Sequence, residues 1–173
     1  MASLRYITVE NFKTERGFTR DIDLSYQTFG RPLGEAPVVL VNHALTGNST
    51  LIGENAWLDQ IVGEEKTIDV NRFTVLAFNI PGNGYSGDVE DLIFNYKDFT
   101  LDDIARIFIE GLQLLKIEKL YAILGCSIGG ALTWHIAVNQ PNLATHIISV
   151  AAHHTANDWV LANCSIQEAI LNN

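Results

Sequence analysis

The residues best suited to chemistry are Gly125-Cys126-Ser127-Ile128-Gly129-Gly130, which follow the apolar run Leu120-Tyr121-Ala122-Ile123-Leu124 and precede a helical pattern through Ala131, Leu132, Trp134, Ile136 and Ala137. A G-x-S-x-G stretch between strand and helix suits a nucleophilic serine. The chain reverses around one strained residue, and side chains two positions away would collide. Glycine at 125 and 129 removes those side chains. The bend would lift the Ser127 hydroxyl out of the sheet and aim the first helical amides, where partial positive charge gathers, at a reacting carbonyl. The chemistry expected is acyl transfer, with Ser127 as nucleophile and the backbone N–H of Ile128 as one oxyanion donor. Cys126 is the competing nucleophile; its place before the apex points it back toward the sheet, which favours Ser127.

A serine hydroxyl is a weak nucleophile until a base takes its proton, and the chain order for this kind of site is Ser, then Asp or Glu, then His. After Ser127 the chain offers His135, His146, His153 and His154, with Asp158 and Glu168 as acids. His135 lies in the helix leaving the elbow and His146 just before a strand, positions that suit surface or packing roles. His153 and His154 end a strand on the active-site side, where they could line the pocket, but the catalytic histidine is expected two strands further on. The catalytic acid and histidine are therefore expected beyond Asn173, and the 173 residues are read as a fragment.

Several elements must position these groups. Arg5 to Glu10 and Asp21 to Thr28 alternate in the two-residue period of strands with one wet face, suggesting an antiparallel pair. Val38-Val39-Leu40-Val41, Phe73 to Phe78 and Leu120 to Leu124 are short, nearly continuous apolar runs suited to parallel strands covered on both faces, and Ile147 to Ala152 is a weaker fourth. Thr100 with Asp103 three residues on caps a helix whose apolar positions are Leu101, Ile104, Ile107, Phe108, Leu112 and Leu115. The order implies an α/β fold: a mostly parallel sheet with antiparallel N-terminal strands and helices on both faces. Residues 1–173 are read as one core with the elbow at 125–130, and 156–173 as the start of a cap region.

Composition narrows the function classes. A formal charge of −9, from 20 acidic and 11 basic residues, argues against a nucleic-acid footprint. Two cysteines, Cys126 and Cys164, make neither a disulfide framework nor a metal cluster, so no metal site is expected. No apolar run reaches the roughly eighteen residues of a membrane span, and the opening Met1-Ala2-Ser3-Leu4-Arg5 lacks a secretion-signal block, so a soluble, cytoplasmic protein is expected.

One more stretch is specific. After Val41 comes Asn42-His43-Ala44-Leu45-Thr46-Gly47-Asn48, and His43 to Gly47 resembles the homoserine O-acetyltransferase family of α/β-hydrolase-fold enzymes. Gly63-Glu64-Glu65-Lys66 with Ile68-Asp69 and Arg72-Phe73, Asn79, and Leu114 to Leu120 are also similar to that family, so the likeness covers roughly Val38 to Ala152. The resemblance implies that the Leu45 amide completes the oxyanion hole. It further implies acetyl transfer from acetyl-CoA to the hydroxyl of homoserine in methionine biosynthesis, with acetyl-CoA as co-substrate, no permanently bound cofactor, and a homodimer. His43 is read as structural, bonding neighbouring backbone.

The chain departs from the family at Asn48, where an acidic residue is usual. It departs again at Ile80-Pro81-Gly82-Asn83-Gly84-Tyr85-Ser86-Gly87, which is similar to the proline-glycine loop of ordinary esterases. Two alternatives stay open: a serine esterase of small esters, and a non-catalytic binding protein that keeps the fold.

Overall fold

Two-residue alternation builds the first hairpin, and buried apolar runs build the rest of the sheet. The computed structural model describes residues 2–54 and 56–172; Met1, Asn55 and Asn173, and with them both ends of the expected 1–173 core, lie outside the described residues. Strand β1 (Arg5–Lys13) pairs antiparallel with β2 (Thr19–Gly30), and a bulge between Val9 and Phe12 carries Asn11 at φ 51°. Then come β3 (Val38–Asn42), the two-residue strands β4 (Val62–Gly63) and β5 (Ile68–Asp69), and β6 (Thr74–Phe78). Helix α1 (Leu101–Leu114), β7 (Leu120–Cys126), α2 (Ile128–Asn139), β8 (Ala144–Val150) and α3 (Asp158–Leu171) complete the order.

The main sheet runs β1-β2-β6-β3-β7-β8. Strands β6, β3, β7 and β8 are parallel, and β2 joins β6 antiparallel. The expected antiparallel start and parallel centre are thus both present. Every residue of β3 and β6 is buried, as their unbroken apolar runs require.

Side chains alternate between two apolar layers. Leu40, Leu76, Phe78 and Ile123 pack with Ile107, Phe108 and Leu112 of α1 and Leu132 and Ile136 of α2. Full burial of one such side chain stabilises by about 1.5–3 kcal/mol. Val39, Val41, Val75, Ala77 and Ala122 face the other way, onto Leu51 and Val62. Between β3 and β6 this second face is covered by a segment that contains the short β4–β5 pair. Gly53 at φ 125°, Glu65 at φ 57° and Gly63 at φ 156° keep that segment from continuing as helix.

Several strand bounds differ from expectation, those of β7 and β8 being the ones next to the elbow. Strand β7 extends past Leu124 because Gly125 and Cys126 still pair with Asn42, Ser149 and Val150. Strand β8 begins at Ala144 opposite Leu120 and ends at Val150, where Ala151 turns to φ 51° and breaks the ladder. Asn157 caps α3 by accepting from Val160 N–H at 2.9 Å, and none of that helix's described residues is buried.

Candidate functional site

Strand β7 ends at Cys126 and α2 begins at Ile128, so a single residue makes the whole reversal. Ser127 sits at φ 56°, ψ −121°, which costs a residue bearing a Cβ roughly 1–3 kcal/mol. Backbone bonds hold it there: its N–H donates to Val150 O at 2.9 Å, and its C=O accepts from Ala131 N–H at 3.0 Å. The side chain is exposed, and its hydroxyl makes no hydrogen bond among the described residues. Cys126 is half-buried.

The glycines act as their spacing suggested. A Cβ at Gly125 would lie 2.0 Å from Gly129 O and 2.5 Å from Thr133 Oγ1; a Cβ at Gly129 would lie 2.3 Å from Asn42 O and 2.5 Å from His43 O. The first absence seats helix on strand, and the second seats the helix on the end of β3. Thr133 completes this joint, and sequence reasoning had missed it. Its buried hydroxyl donates to Gly129 O at 2.9 Å and accepts from Asn42 Nδ2 at 3.0 Å. Its signal was a polar residue on a helix face that is otherwise apolar.

The loop after β3 is fixed by His43. Ile80 N–H donates to Nε2 at 2.9 Å, so that nitrogen carries no proton, and Nδ1–H donates to Ala44 O at 2.7 Å. Burial pushes the imidazole below its ordinary value of 6.5, opposed in part by the bond to Ala44. Both nitrogens are engaged, so the ring is a neutral bridge between this loop and the end of β6, as its structural reading expected. The turn closed by Gly47 N–H to Ala44 O at 2.8 Å leaves Leu45 exposed. Neither the Leu45 N–H nor the Ile128 N–H has a hydrogen-bond partner among the described residues.

A buried polar cluster beneath the loop was also missed. Asn79 Oδ1 accepts from Ser49 N–H at 2.8 Å, and its Nδ2 donates to Ser25 Oγ and Ser49 Oγ, both at 2.9 Å. Gln27 Oε1 accepts from Ser49 Oγ at 2.7 Å and Thr50 Oγ1 at 3.0 Å, and the Thr50 hydroxyl also meets the Tyr85 hydroxyl. These bonds tie the loop after β3 to the loop after β6. Gln27, a polar residue in the buried register of β2, was the available signal.

Leu45 and Ile128 line one cavity of about 290 Å³, together with apolar residues of the segments 80–83 and 93–104. The larger groove, about 790 Å³, is lined by Glu10, Arg106 and Glu110 and includes no residue of the elbow or of the loop after β3. The remaining histidines do not reach Ser127 through hydrogen bonds. His135 Nδ1 lies 3.3 Å from Asp102 Oδ1 across α1 and α2, and His146 packs edge-on to Tyr121, ring centroids 4.9 Å apart. His153 and His154 are exposed in the loop after β8, beyond the strand end expected at Ala152, and Asp158 and Glu168 are exposed on α3. Among the described residues no cluster of three His, Cys, Asp or Glu could hold a metal ion, and no helix is long and apolar enough to cross a membrane.

With this geometry in view, the chain is 30% identical over 167 residues to a homoserine O-acetyltransferase of Sulfurimonas autotrophica, matching 87% of this chain and 45% of that protein. A solved homoserine O-acetyltransferase from Staphylococcus aureus superposes with a TM-score of 0.83 at 25% identity, over 99% of this chain and 53% of that one. An acetylester hydrolase from Corynebacterium glutamicum shares the fold, with a TM-score of 0.76 at 19% identity over 91% of this chain and 46% of its own. The chain thus spans about half the length of these relatives. Residues 37–166 match the family described as alpha/beta hydrolase fold, and the chain belongs to that family.

Proposed function

We propose that the protein is a serine acyltransferase that moves acetyl from acetyl-CoA to the hydroxyl of homoserine, a step of methionine biosynthesis. One observation carries the reaction class: an exposed, unbonded hydroxyl on a strained Ser127, with two unpartnered amides, those of Leu45 and Ile128, on the wall of one cavity. The likeness to homoserine O-acetyltransferases supports the choice of donor and acceptor.

In this mechanism a base takes the Ser127 proton as Oγ attacks the thioester carbonyl. The Leu45 and Ile128 N–H groups donate to the resulting oxyanion, and CoA leaves as the thiol with that proton. The homoserine hydroxyl then gives its proton to the base and attacks the acyl-serine; collapse of the second oxyanion releases the O-acyl product and returns a proton to Ser127. No described histidine or carboxylate bonds Ser127, so we assign base and acid to the part of the relatives' length that this chain does not span. We read 1–173 as the nucleophile-bearing part of one core, with a cap beginning near 156, acting in the cytoplasm as a homodimer.

The test is thiol release from acetyl-CoA by the full-length protein, with and without homoserine. Release that depends on homoserine and yields O-acetylhomoserine supports the reading. Release that ignores the acceptor makes the protein a hydrolase. Absence of a fluorophosphonate adduct at Ser127 in folded protein makes it a binder.

A further inference from the structure

The cavity next to the two oxyanion amides has an unusual lining. Besides Leu45 and Ile128, its walls are Ile80, Pro81, Ile93, Tyr96, Phe99 and Ile104, and among the described residues no Lys, Arg, Asp or Glu contributes. His43, also on the wall, is neutral with both ring nitrogens engaged. Asn83 has its amide nitrogen on Asn79 Oδ1 at 3.2 Å and its oxygen on Tyr85 N–H at 3.1 Å. The His43 and Asn83 side chains are therefore engaged with the protein, and the remaining polar side chain on the wall, Tyr96, is a neutral hydroxyl.

The walls are also fixed in place. Gly82, at φ 82°, lies so close under Ile93 that an added Cβ would meet Ile93 Cβ at 3.1 Å. Phe99 is backed edge-on by Phe18, ring centroids 6.1 Å apart, and Ile104 sits in the first turns of α1, which is capped and packed on the sheet. An acetyl methyl needs about as much room as one water, roughly 30 Å³. A cavity of about 290 Å³ leaves most of its volume unused by acetyl.

Resting on the acyl-Ser127 reading, we propose that this cavity is an acyl-chain pocket that admits uncharged straight acyl groups of up to four carbons and rejects acyl groups ending in a carboxylate. A butyryl chain would bury its methylenes against Ile93, Phe99 and Ile104. A succinyl chain of the same length would bring an anion to a wall that, among the described residues, offers neutral donors such as the Tyr96 hydroxyl and no cation, in a chain whose net charge is already −9.

The experiment is intact-mass measurement of acyl-Ser127, with initial rates, for the full-length protein given acetyl-, butyryl- or succinyl-CoA. Butyryl transfer within about tenfold of acetyl, and succinyl transfer slower by on the order of a hundredfold, is the expected pattern. Ile104→Phe, which fills the pocket, should slow butyryl transfer about tenfold or more and acetyl transfer by less than about threefold. Ile93→Phe, at another residue of the lining, should do the same, which keeps the test open if one variant does not fold. Acetyl transfer with butyryl excluded, or succinyl matching butyryl, overturns the pocket and leaves the acyltransferase standing. No adduct from any donor removes both.

Discussion

Helices α1 and α2 lie side by side on one face of the sheet and begin in opposite ways. At the start of α1, Thr100 is in the extended region, φ −96°, ψ 168°, and its hydroxyl accepts from Asp103 N–H at 3.1 Å while the Asp103 carboxylate accepts from Thr100 N–H at 2.8 Å. Asp102 and Asp103 add negative charge to that first turn. At the start of α2, Ser127 sits at positive φ, makes no capping bond, and is followed by a first turn without an acid. A helix end leaves several amides unsatisfied and positive. The α1 end is neutralised from within and is structural; the α2 end is left open, which is what the proposed oxyanion role of its amides requires.

The contrast is broken hardest at its apex. Ser127→Gly removes the proposed nucleophile and also the Cβ that makes φ 56° costly. Acyl transfer by the full-length enzyme should fall by on the order of 10⁴-fold or more, while the thermal midpoint of this chain rises in step with a gain of about 1 kcal/mol. Stability and activity moving in opposite directions is the mark of a site that stores strain for use. A drop in both would mean that Ser127 is an ordinary turn residue.

Next in size is Gly129→Ala. The methyl must enter space held by Asn42 O and His43 O, both backbone atoms that cannot swing aside. We expect a loss of about 3 kcal/mol or more by chemical denaturation, with serine labelling lost even in the folded fraction, since α2 must lift off the end of β3.

Acid should then separate the two helix ends. His43 is neutral in the fold because burial depresses its pKa below 6.5, so the unfolded chain binds the extra proton first. The stability it contributes is complete above about 6.5 and is lost as pH falls through its lower folded value. For Asp103, burial pushes the carboxyl up, but bonds from the Thr100 and Glu15 amides, the Thr100 hydroxyl and Arg106 outweigh it and hold the group below 3.8. Its contribution is present above 3.8 and disappears only below that. The loop after β3 should therefore loosen at mildly acidic pH while the α1 cap stays intact. Hydrogen exchange at Ile80, whose amide bonds His43, should rise below about pH 6.5 before exchange at Asp103 does. Simultaneous loss would deny that the two ends are independent.

These two ends were not equally legible in the sequence. Local signals carried the capped helix, the glycine spacing and the buried strands, because each is set by residues within a few positions of one another. Thr100 and Asp103 needed no tertiary information. The Gly125 clash is with Gly129, four residues on, and was expected; the Gly129 clash is with Asn42, 87 positions earlier, and only the glycine itself was visible. The engagement of both His43 nitrogens, the Asn79 cluster and Thr133 depend on pairing β3 with β6 and α2. No period or motif encodes that pairing. The end of β8 was misjudged for a related reason: its ladder with β7 ends at the Cys126–Val150 pair, because β7 turns at Ser127 and Ala151 leaves the strand at φ 51°.

The smallest expected effect is at the closed helix end. Thr100→Ala deletes the hydroxyl that accepts from Asp103 N–H but leaves Thr100 N–H bonded to the Asp103 carboxylate, which also receives Glu15 N–H at 2.9 Å. Half of the reciprocal cap therefore survives, and of the two bonds to the turn between β1 and β2 the Glu15 N–H to Asp103 bond stays while the Thr100 hydroxyl's bond to Glu15 Oε2 at 3.0 Å is lost. A loss of about 1 kcal/mol, at the ordinary value for an N-cap, is expected by denaturant titration. Acyl transfer should be unchanged when assayed well below the midpoint, since Thr100 does not line the cavity and Ile104, one turn on, remains packed against the core. If the rate fell with the stability, the start of α1 would have to share the work of the α2 end, and the division between a closed and an open terminus would fail.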